Sequence, residues 1–272
     1  MNHISKHITE RRSVRTFDGC TVNEATKDQL LSFAGNITNP WNIPVTFKFL
    51  DAKKDGLICP VVSGTDLYAG GKVRNVPNAS VAFGYSFEMF VLYAQSLGLG
   101  TVWLGGTMNR SAFEQAMALE AEEMMPCATP IGYAAKKMSI RENMMRKAIK
   151  ADERLPFEKL FLDGSFDVPL TRETAGKFAQ SLDMVRLAPS AVNKQPWRAV
   201  MSTDAVHFYI KRSKGFSHEG KLDMQMIDMG IALCHFALAA LEYHLDVTFS
   251  QDDPKIEPET GMEYVASYVI GQ

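Results

Sequence analysis

The sequence predicts an α+β fold built from two tandem, diverged halves, each a small antiparallel or mixed sheet with helices. Three observations predict it. Stretches with the apolar period of a helix alternate with short runs of strand character. Residues 84–103 align without a gap on 230–249, matching Gly84 with Gly230, Phe90 with Phe236, Leu92 with Leu238, Ala94 with Ala240 and Leu99 with Leu245, and setting Trp103 against Phe249. Two more landmarks keep the same order: Pro40-Trp41 answers Pro196-Trp197, and Ile131-Gly132 answers Ile270-Gly271. Such a repeat is the signature of duplication. The boundary is placed between 155 and 156, giving halves 1–155 and 156–272.

The elements follow in order. Residues 22–37 read as a helix with Leu30, Leu31 and Ala34 on its apolar side, and 45–50 alternate as a strand ending near Asp51. Residues 84–97 put Phe87, Phe90, Val91 and Ala94 on one helical face, with a short strand at 101–104 behind them. Ser111 and Glu114 form a capping-box pattern for the next helix. The charged stretch 141–158 reads as a surface connector. The second half then supplies a helix at 172–187, a strand pair within 198–211, and a helix at 227–243 with Ile231, Cys234, Leu238 and Leu241 on one face. A strand at 264–270 ends it.

Composition narrows the function classes. With 272 residues, 46% apolar and 22% charged, the chain can bury a sizeable core. Lys and Arg number 29 against 31 Asp and Glu, a formal charge of −2, which excludes the broad basic footprint of a nucleic-acid binder. The cysteines at 20, 59, 127 and 234 lack CxxC or metal-ligand spacing, and the six histidines form no HExxH pair. No metal site is expected. The polar start, MNHISKHITERRSVR, carries no signal-peptide pattern, and Gly98, Gly100, Gly105 and Gly106 interrupt the uncharged run 89–109. A soluble, cytoplasmic protein without membrane or nucleic-acid partners is expected.

Three segments carry the chemistry. Arg11-Arg12-Ser13-Val14-Arg15 gathers forked donors suited to a phosphate, although such a stretch alone is more often a solvated basic surface. Ala188-Pro189-Ser190-Ala191-Val192-Asn193-Lys194-Gln195-Pro196-Trp197 begins where Pro189 stops a helix, and its amide and hydroxyl groups suit a planar polar ligand; alone it is an ordinary helix-to-strand loop. The glycines of 98–106 allow close backbone approach to a ligand, or merely tight helix–strand packing.

Together, RRSVRTF, APSxxNxQPW and GLGTVWLGG resemble the nitroreductase family of FMN-dependent flavoproteins, which works through a symmetric homodimer with flavin between subunits. Here the arginine motif and glycine turn lie in the first half and the Ser/Asn loop in the second. The first half's counterpart of that loop reads NITNPW, and the second half has His244-Leu245-Asp246 where the first has Gly98-Leu99-Gly100. The chain is thus similar to the branch in which one chain is a fused pseudo-dimer. The resemblance implies one FMN per chain and a vestigial second site.

It also implies roles. Arg11 and Ser13, with Arg12, would hold the phosphate, and Arg15 would lie near the N1/O2 edge of the isoalloxazine. Pro189, Ser190 and Asn193 would contact the ring and ribityl chain, with Ala191 where the family often has a second serine. Gly105 and Gly106, beside Leu104, would bring backbone N–H groups to N5, and Lys150 and Arg154 would sit near the phosphate. Trp41, Phe83 and Phe216 are aromatic candidates for the acceptor face, although aromatic residues are core by default. His235 reads as a core histidine.

The activity implied is hydride transfer from NADH or NADPH through flavin N5 to a small-molecule electron acceptor such as a nitroaromatic or quinone, by a ping-pong sequence with no catalytic side chain. A non-catalytic descendant that binds flavin or has lost it is the alternative, and dehalogenation or flavin breakdown is a third reading. A monomer is expected, because fusion internalises the dimer interface.

Overall fold

The structure, a computed structural model, describes residues 3–214 and 222–271. Phe216 and His218 therefore lie outside the described residues. The first half contains α1 (Ile4–Glu10), α2 (Glu24–Gly35), β1 (Val45–Asp51), α3 (Ala52–Asp55), β2 (Leu67–Arg74), α4 (Ala79–Ser96), α5 (Arg110–Met117), β3 (Glu123–Met124) and β4 (Ala128–Pro130). A helix α6 (Ile140–Ala148) and one turn α7 (Phe157–Leu160) lead across. Then come β5 (Phe161–Asp163), α8 (Arg172–Ala175), α9 (Ala179–Arg186), β6 (Trp197–Met201), β7 (Ala205–Lys211), α10 (Met224–Glu242), β8 (Val247–Ser250) and β9 (Met262–Ile270).

The two sheets share one plan. β2 is antiparallel to β1 and β4, as β7 is to β6 and β9. Beyond β4, Gly100 bridges Gly132 and Leu104 bridges Ala128, which is where β8 lies beside β9. The strand expected at 101–104 is therefore present only as separate bridges. β5 adds in parallel to β6, so the second sheet is mixed.

The duplication is most visible where α4 crosses α10. A Cβ on Gly84 would lie 2.1 Å from the carbonyl oxygen of Ile227, and one on Gly230 would lie 2.0 Å from that of Val81. Val81 and Ile227 are themselves aligned partners, so the contact is reciprocal about a pseudo-twofold axis. The helices also end alike. Gly98 and His244 both adopt positive φ (76° and 55°), and the N–H groups of Leu99 and Leu245 donate to Ala94 and Ala240. α10 is long and apolar enough to cross a membrane, with mean hydropathy 1.6, yet 72% of that span is buried as a core helix.

Several local expectations change. Leu30 and Ala34 are buried, but Leu31 is exposed, and Leu241 at the end of α10 is 74% exposed. The expected Ser111 capping box does not form. Asn109 precedes α5, so Ser111 already lies inside the first turn, where its hydroxyl cannot cap; Arg110 and Glu114 form an ion pair instead. The stretch 141–158 is not merely a surface connector. α6 begins at a Ser139 cap, and its Glu142 is 1% exposed.

Gly84→Ala or Gly230→Ala would force the crossing apart. Each is expected to cost about 3 kcal/mol, the upper range for overpacking, read as a lower denaturant midpoint at unchanged m-value. Gly35→Ala, in α2 with open space around its Cβ position, is the contrast; it should gain about 0.5–1 kcal/mol.

Candidate functional site

Two adjoining cavities lie at the seam between the halves. The larger, about 250 Å³, has walls from both: Ser13, Arg15, Trp103, Gly105 and Gly106 on one side, and Pro189, Ser190, Ala191, Ile227, Asp228 and Ile231 on the other. The smaller, about 80 Å³, is lined by Arg11, Arg12, Ser13, Arg146, Arg154, Pro189, Ser190 and Asn193, with Asp152 at its edge. Ser13, Ile149, Pro189 and Ser190 line both, so the two are continuous. One compartment is a mostly apolar slot and the other a nest of guanidiniums.

Local folding explains the placement. The Val14 N–H donates to Thr101, and Val14 packs so closely over Gly100 that a Cβ there would stand 2.9 Å from the Val14 Cβ. Gly100 therefore lets the arginine segment cross the glycine turn, and Arg11, Arg12, Ser13 and Arg15 line the cavities. Arg110 braces the turn from behind, donating to the carbonyls of Gly105 and Met125. The Ser/Asn loop is a tight 3₁₀ turn in which Val192 and Asn193 both have positive φ. That is a strained conformation, above all for β-branched Val192. Asp228 accepts the Ala191 N–H, and Ser190 Oγ accepts that of Gln195.

The electrostatics are unbalanced toward the cation. Arg11 and Arg15 are each only 9% exposed, and their Nε and Nη1 atoms have no hydrogen-bond partner among the described residues. The Arg154 Nε is in the same state. Burial, the largest influence, lowers all three guanidiniums below their ordinary range. Buried N–H groups left unpaired are costly, so the arrangement is suited to an anion. Arg12 is partly neutralised by Glu142 at 3.3 Å, and Arg146 pairs with Asp152.

Arg11 has one further neighbour. Glu88 of α4, fully buried, lies 3.8 Å from the Arg11 Nε. It accepts the Trp103 indole N–H at 2.9 Å and shares a 2.9 Å hydrogen bond with His235 of α10. His235, a core residue as expected, also bonds the carbonyl of Met184. Glu88 thus links the arginine compartment to a wall of the slot.

Of the residues expected at the site, two are not brought there. Leu104 is buried with Leu50 and Phe113 in a separate cluster, and both its backbone polar groups are paired with Ala128. Lys150 projects outward and pairs with Glu153, its side chain 69% exposed. Asn193 lines the smaller cavity, but its amide donates to the carbonyls of Lys150 and Glu153 and its oxygen faces Arg154. It therefore clamps the chain after α6. Trp41 and Phe83 are not among the cavity walls.

The sequence reading missed Trp103, Cys127, Met145, Arg146, Ile149, Ile227, Asp228 and Ile231 as lining residues. For Asp228 a signal was available: a carboxylate five residues into an apolar helix. The others carry ordinary core or connector patterns.

The counterpart of the slot about the pseudo-twofold axis is filled. Trp41 packs edge-on against Phe249 at 4.9 Å and Tyr85 at 6.3 Å between ring centroids. Phe249 and Tyr85 are the aligned partners of Trp103 and Ile231. Asn39 fixes the Trp41 turn, donating to Ile43 and Ser86 and accepting from the Trp41 N–H.

Comparison with known proteins agrees with this architecture. Residues 3–240 match the family described as "Putative TM nitroreductase". A crystal structure from Thermotoga maritima, likewise described as a nitroreductase, superposes with a TM-score of 0.62 at 19% identity, covering 99% of this chain and 94% of that one. An FMN-dependent nitroreductase from Clostridium difficile aligns at 17% identity and a TM-score of 0.42, over 52% of this chain and 94% of that one. A nitroreductase family protein from Clostridium novyi gives 15% and 0.43, over 49% and 86%. No curated protein matches the chain. The match over nearly the whole length, both halves included, decides the assignment: the chain belongs to this nitroreductase family.

Proposed function

We propose that the chain binds one FMN at the seam and passes reducing equivalents from NADH or NADPH to small flat acceptors, quinones or nitroaromatics. The observation that carries this reading is the pairing of buried, unpartnered guanidinium N–H groups with an adjoining apolar slot, assembled from both halves. A mononucleotide with a planar ring needs those two compartments joined. The halves are taken as 1–155 and 156–272, acting together as a monomer. Three buried free thiols, Cys59, Cys127 and Cys234, suit the reducing cytoplasm.

When bound, FMN supplies a two-electron carrier whose N5 accepts and donates hydride. The chain's own work is binding and orientation. Arg11, Arg12, Ser13 and Arg154 would hold the phosphate, with Arg146 added to the expected set. Arg15 would set a fixed cation at the polar edge of the ring, favouring negative charge there. Pro189, Ser190 and Ala191 on one side, and Trp103, Gly105 and Gly106 on the other, would confine the ring. Met145 and Ile149 would help exclude water.

Purified protein should take up one equivalent of FMN and turn yellow, and NADH or NADPH should bleach it. Failure to take up FMN overturns the reading; uptake without bleaching by either nicotinamide favours a binding-only protein. Arg11→Ala should weaken FMN binding by roughly ten- to a hundredfold, since a charged hydrogen bond contributes about 1.5–3 kcal/mol. Equilibrium dialysis would show it, and unchanged affinity would place the phosphate elsewhere.

The two asparagine loops separate the live site from its filled counterpart. Asn193→Ala releases Arg154 and the chain after α6, so FMN affinity should fall. Asn39→Ala loses buried hydrogen bonds worth about 1–3 kcal/mol, so the melting temperature should fall while FMN affinity holds. Equal losses of affinity would argue for two working sites.

A further inference from the structure

The larger cavity contains a carboxyl group that flavin anchoring leaves unused. Asp228 lies on α10 among Met224, Ile227 and Ile231, is 3% exposed, and forms part of the cavity wall. The Ala191 N–H donates to it at 3.0 and 3.2 Å, and this is its hydrogen-bond partner among the described residues. No cation pairs with it among those residues. The aligned position in the first half is Ala82, so the filled counterpart has no carboxyl there.

Asp228 is the candidate proton source among the walls of the cavity. Its walls carry three side chains that ionise: Arg15, Cys127 and Asp228. A guanidinium does not release its proton in a protein. Burial holds the Cys127 thiol up at about 12. Burial also pushes Asp228 well above the ordinary carboxyl range, against a lowering by the Ala191 N–H, and Asp223, which caps the same helix, adds to the rise. The titratable groups acting on or facing Asp228 are Asp223, which caps its helix, and Cys127 from the strand side, while Arg15 lines the same cavity.

The proposed reaction needs such a group. Hydride delivery adds two electrons and one hydrogen nucleus to a quinone, leaving a hydroquinone monoanion. A second proton is required to complete the hydroquinone, and Asp228 lies in the wall of the slot that would receive the acceptor. We propose that Asp228 is the general acid of the acceptor half-reaction. This rests on the flavin reading of the site. The Asp228 O–H bond breaks as the acceptor's second O–H bond forms. The hydride and its electron pair derive from the reduced nicotinamide, which is oxidised, and the quinone is reduced. The carboxylate, steadied by the Ala191 N–H, takes a proton from solvent once the product leaves.

The test compares Asp228→Asn, which keeps an acceptor for Ala191, with the parent protein. After reduction, each is reoxidised by 1,4-benzoquinone, which needs protons, or by ferricyanide, which takes single electrons and needs none. The variant's benzoquinone rate should fall relative to its ferricyanide rate by roughly 10²–10⁴-fold, the usual contribution of a general acid. The parent's benzoquinone rate should decline as pH rises through the raised carboxyl value, and the variant's should not. An unchanged rate ratio and pH profile would overturn the proposal while leaving the flavin reading intact.

Stability without cofactor gives a second readout. A carboxyl whose folded value is raised keeps its proton when the unfolded chain has released it, so stability is lost as pH rises from the ordinary Asp range through the folded value. The melting-temperature advantage of Asp228→Asn should therefore grow across that window. A pH-independent difference would show that Asp228 is not a buried acid and would overturn the proposal. A parent protein that takes up no FMN overturns the flavin reading, and the acid's reaction with it.

Discussion

The site depends on how closely α4 and α10 can approach. Their backbones meet at Gly84 and Gly230, where any side chain would collide with the opposite helix. That contact brings Trp103, which follows α4, near the N-terminal part of α10 with Ile227, Asp228 and Ile231. A wider crossing, as larger residues would impose, would open the slot and pull the arginine segment away from the Ser/Asn loop. The same two glycines thus set the packing of the core and the width of the cavity. Packing ridges into grooves normally holds helices 8–10 Å apart, and glycine is what permits less.

Loss of symmetry then follows a consistent physical pattern. Gly100 must lack a side chain because Val14 lies against it, whereas its counterpart, Asp246, has no arginine segment crossing it. With no such segment against it, position 246 can carry a side chain. His244 adopts the left-handed conformation of Gly98, so the two helix ends share one shape although only the first has the residue best suited to it. On the other side, Trp41 occupies the space whose counterpart is the open slot. Filling that space with an aromatic side chain adds apolar burial, about 25 cal/mol per Å² removed from water.

Much of this was legible in the sequence because it rests on local pattern. The helical period of 84–97, the landmarks Pro40-Trp41 and Pro196-Trp197, and the repeated glycine gave the duplicated fold, and the resemblance gave the seam. The arginine spacing alone reads more as a solvated basic surface, and its phosphate role comes from the resemblance that the three segments carry together. What could not be read depends on three-dimensional pairing. Glu142 reads as one more charge in a polar stretch until Arg12 lies beside it. Leu104 next to two glycines looks like part of a ligand turn, but its backbone is committed to Ala128. Lys150 and Arg154 are equally basic and four residues apart, yet only Arg154 turns inward, where the carbonyls of Ala151 and Leu187 receive it. Asp228 was visible as an acid in an apolar helix, but its meaning required the cavity.

Fusion also explains how Glu88 can be tolerated. It is fully buried near the pseudo-twofold axis, and its aligned partner is Cys234. In a homodimer the same position would be a glutamate in both subunits, placing two buried carboxylates near one axis at a considerable electrostatic cost. Two halves in one chain can differ there, and they do. One side keeps the carboxylate, with Arg11 and the Trp103 indole beside it; the other has a thiol that burial holds in its neutral form. His235 completes the arrangement. Its Nδ1 must carry hydrogen to bond the Met184 carbonyl, so its Nε2 and Glu88 share a single proton between them. The carboxylate is thereby satisfied from both halves, and a symmetric dimer could provide this network only by building it twice in the same space.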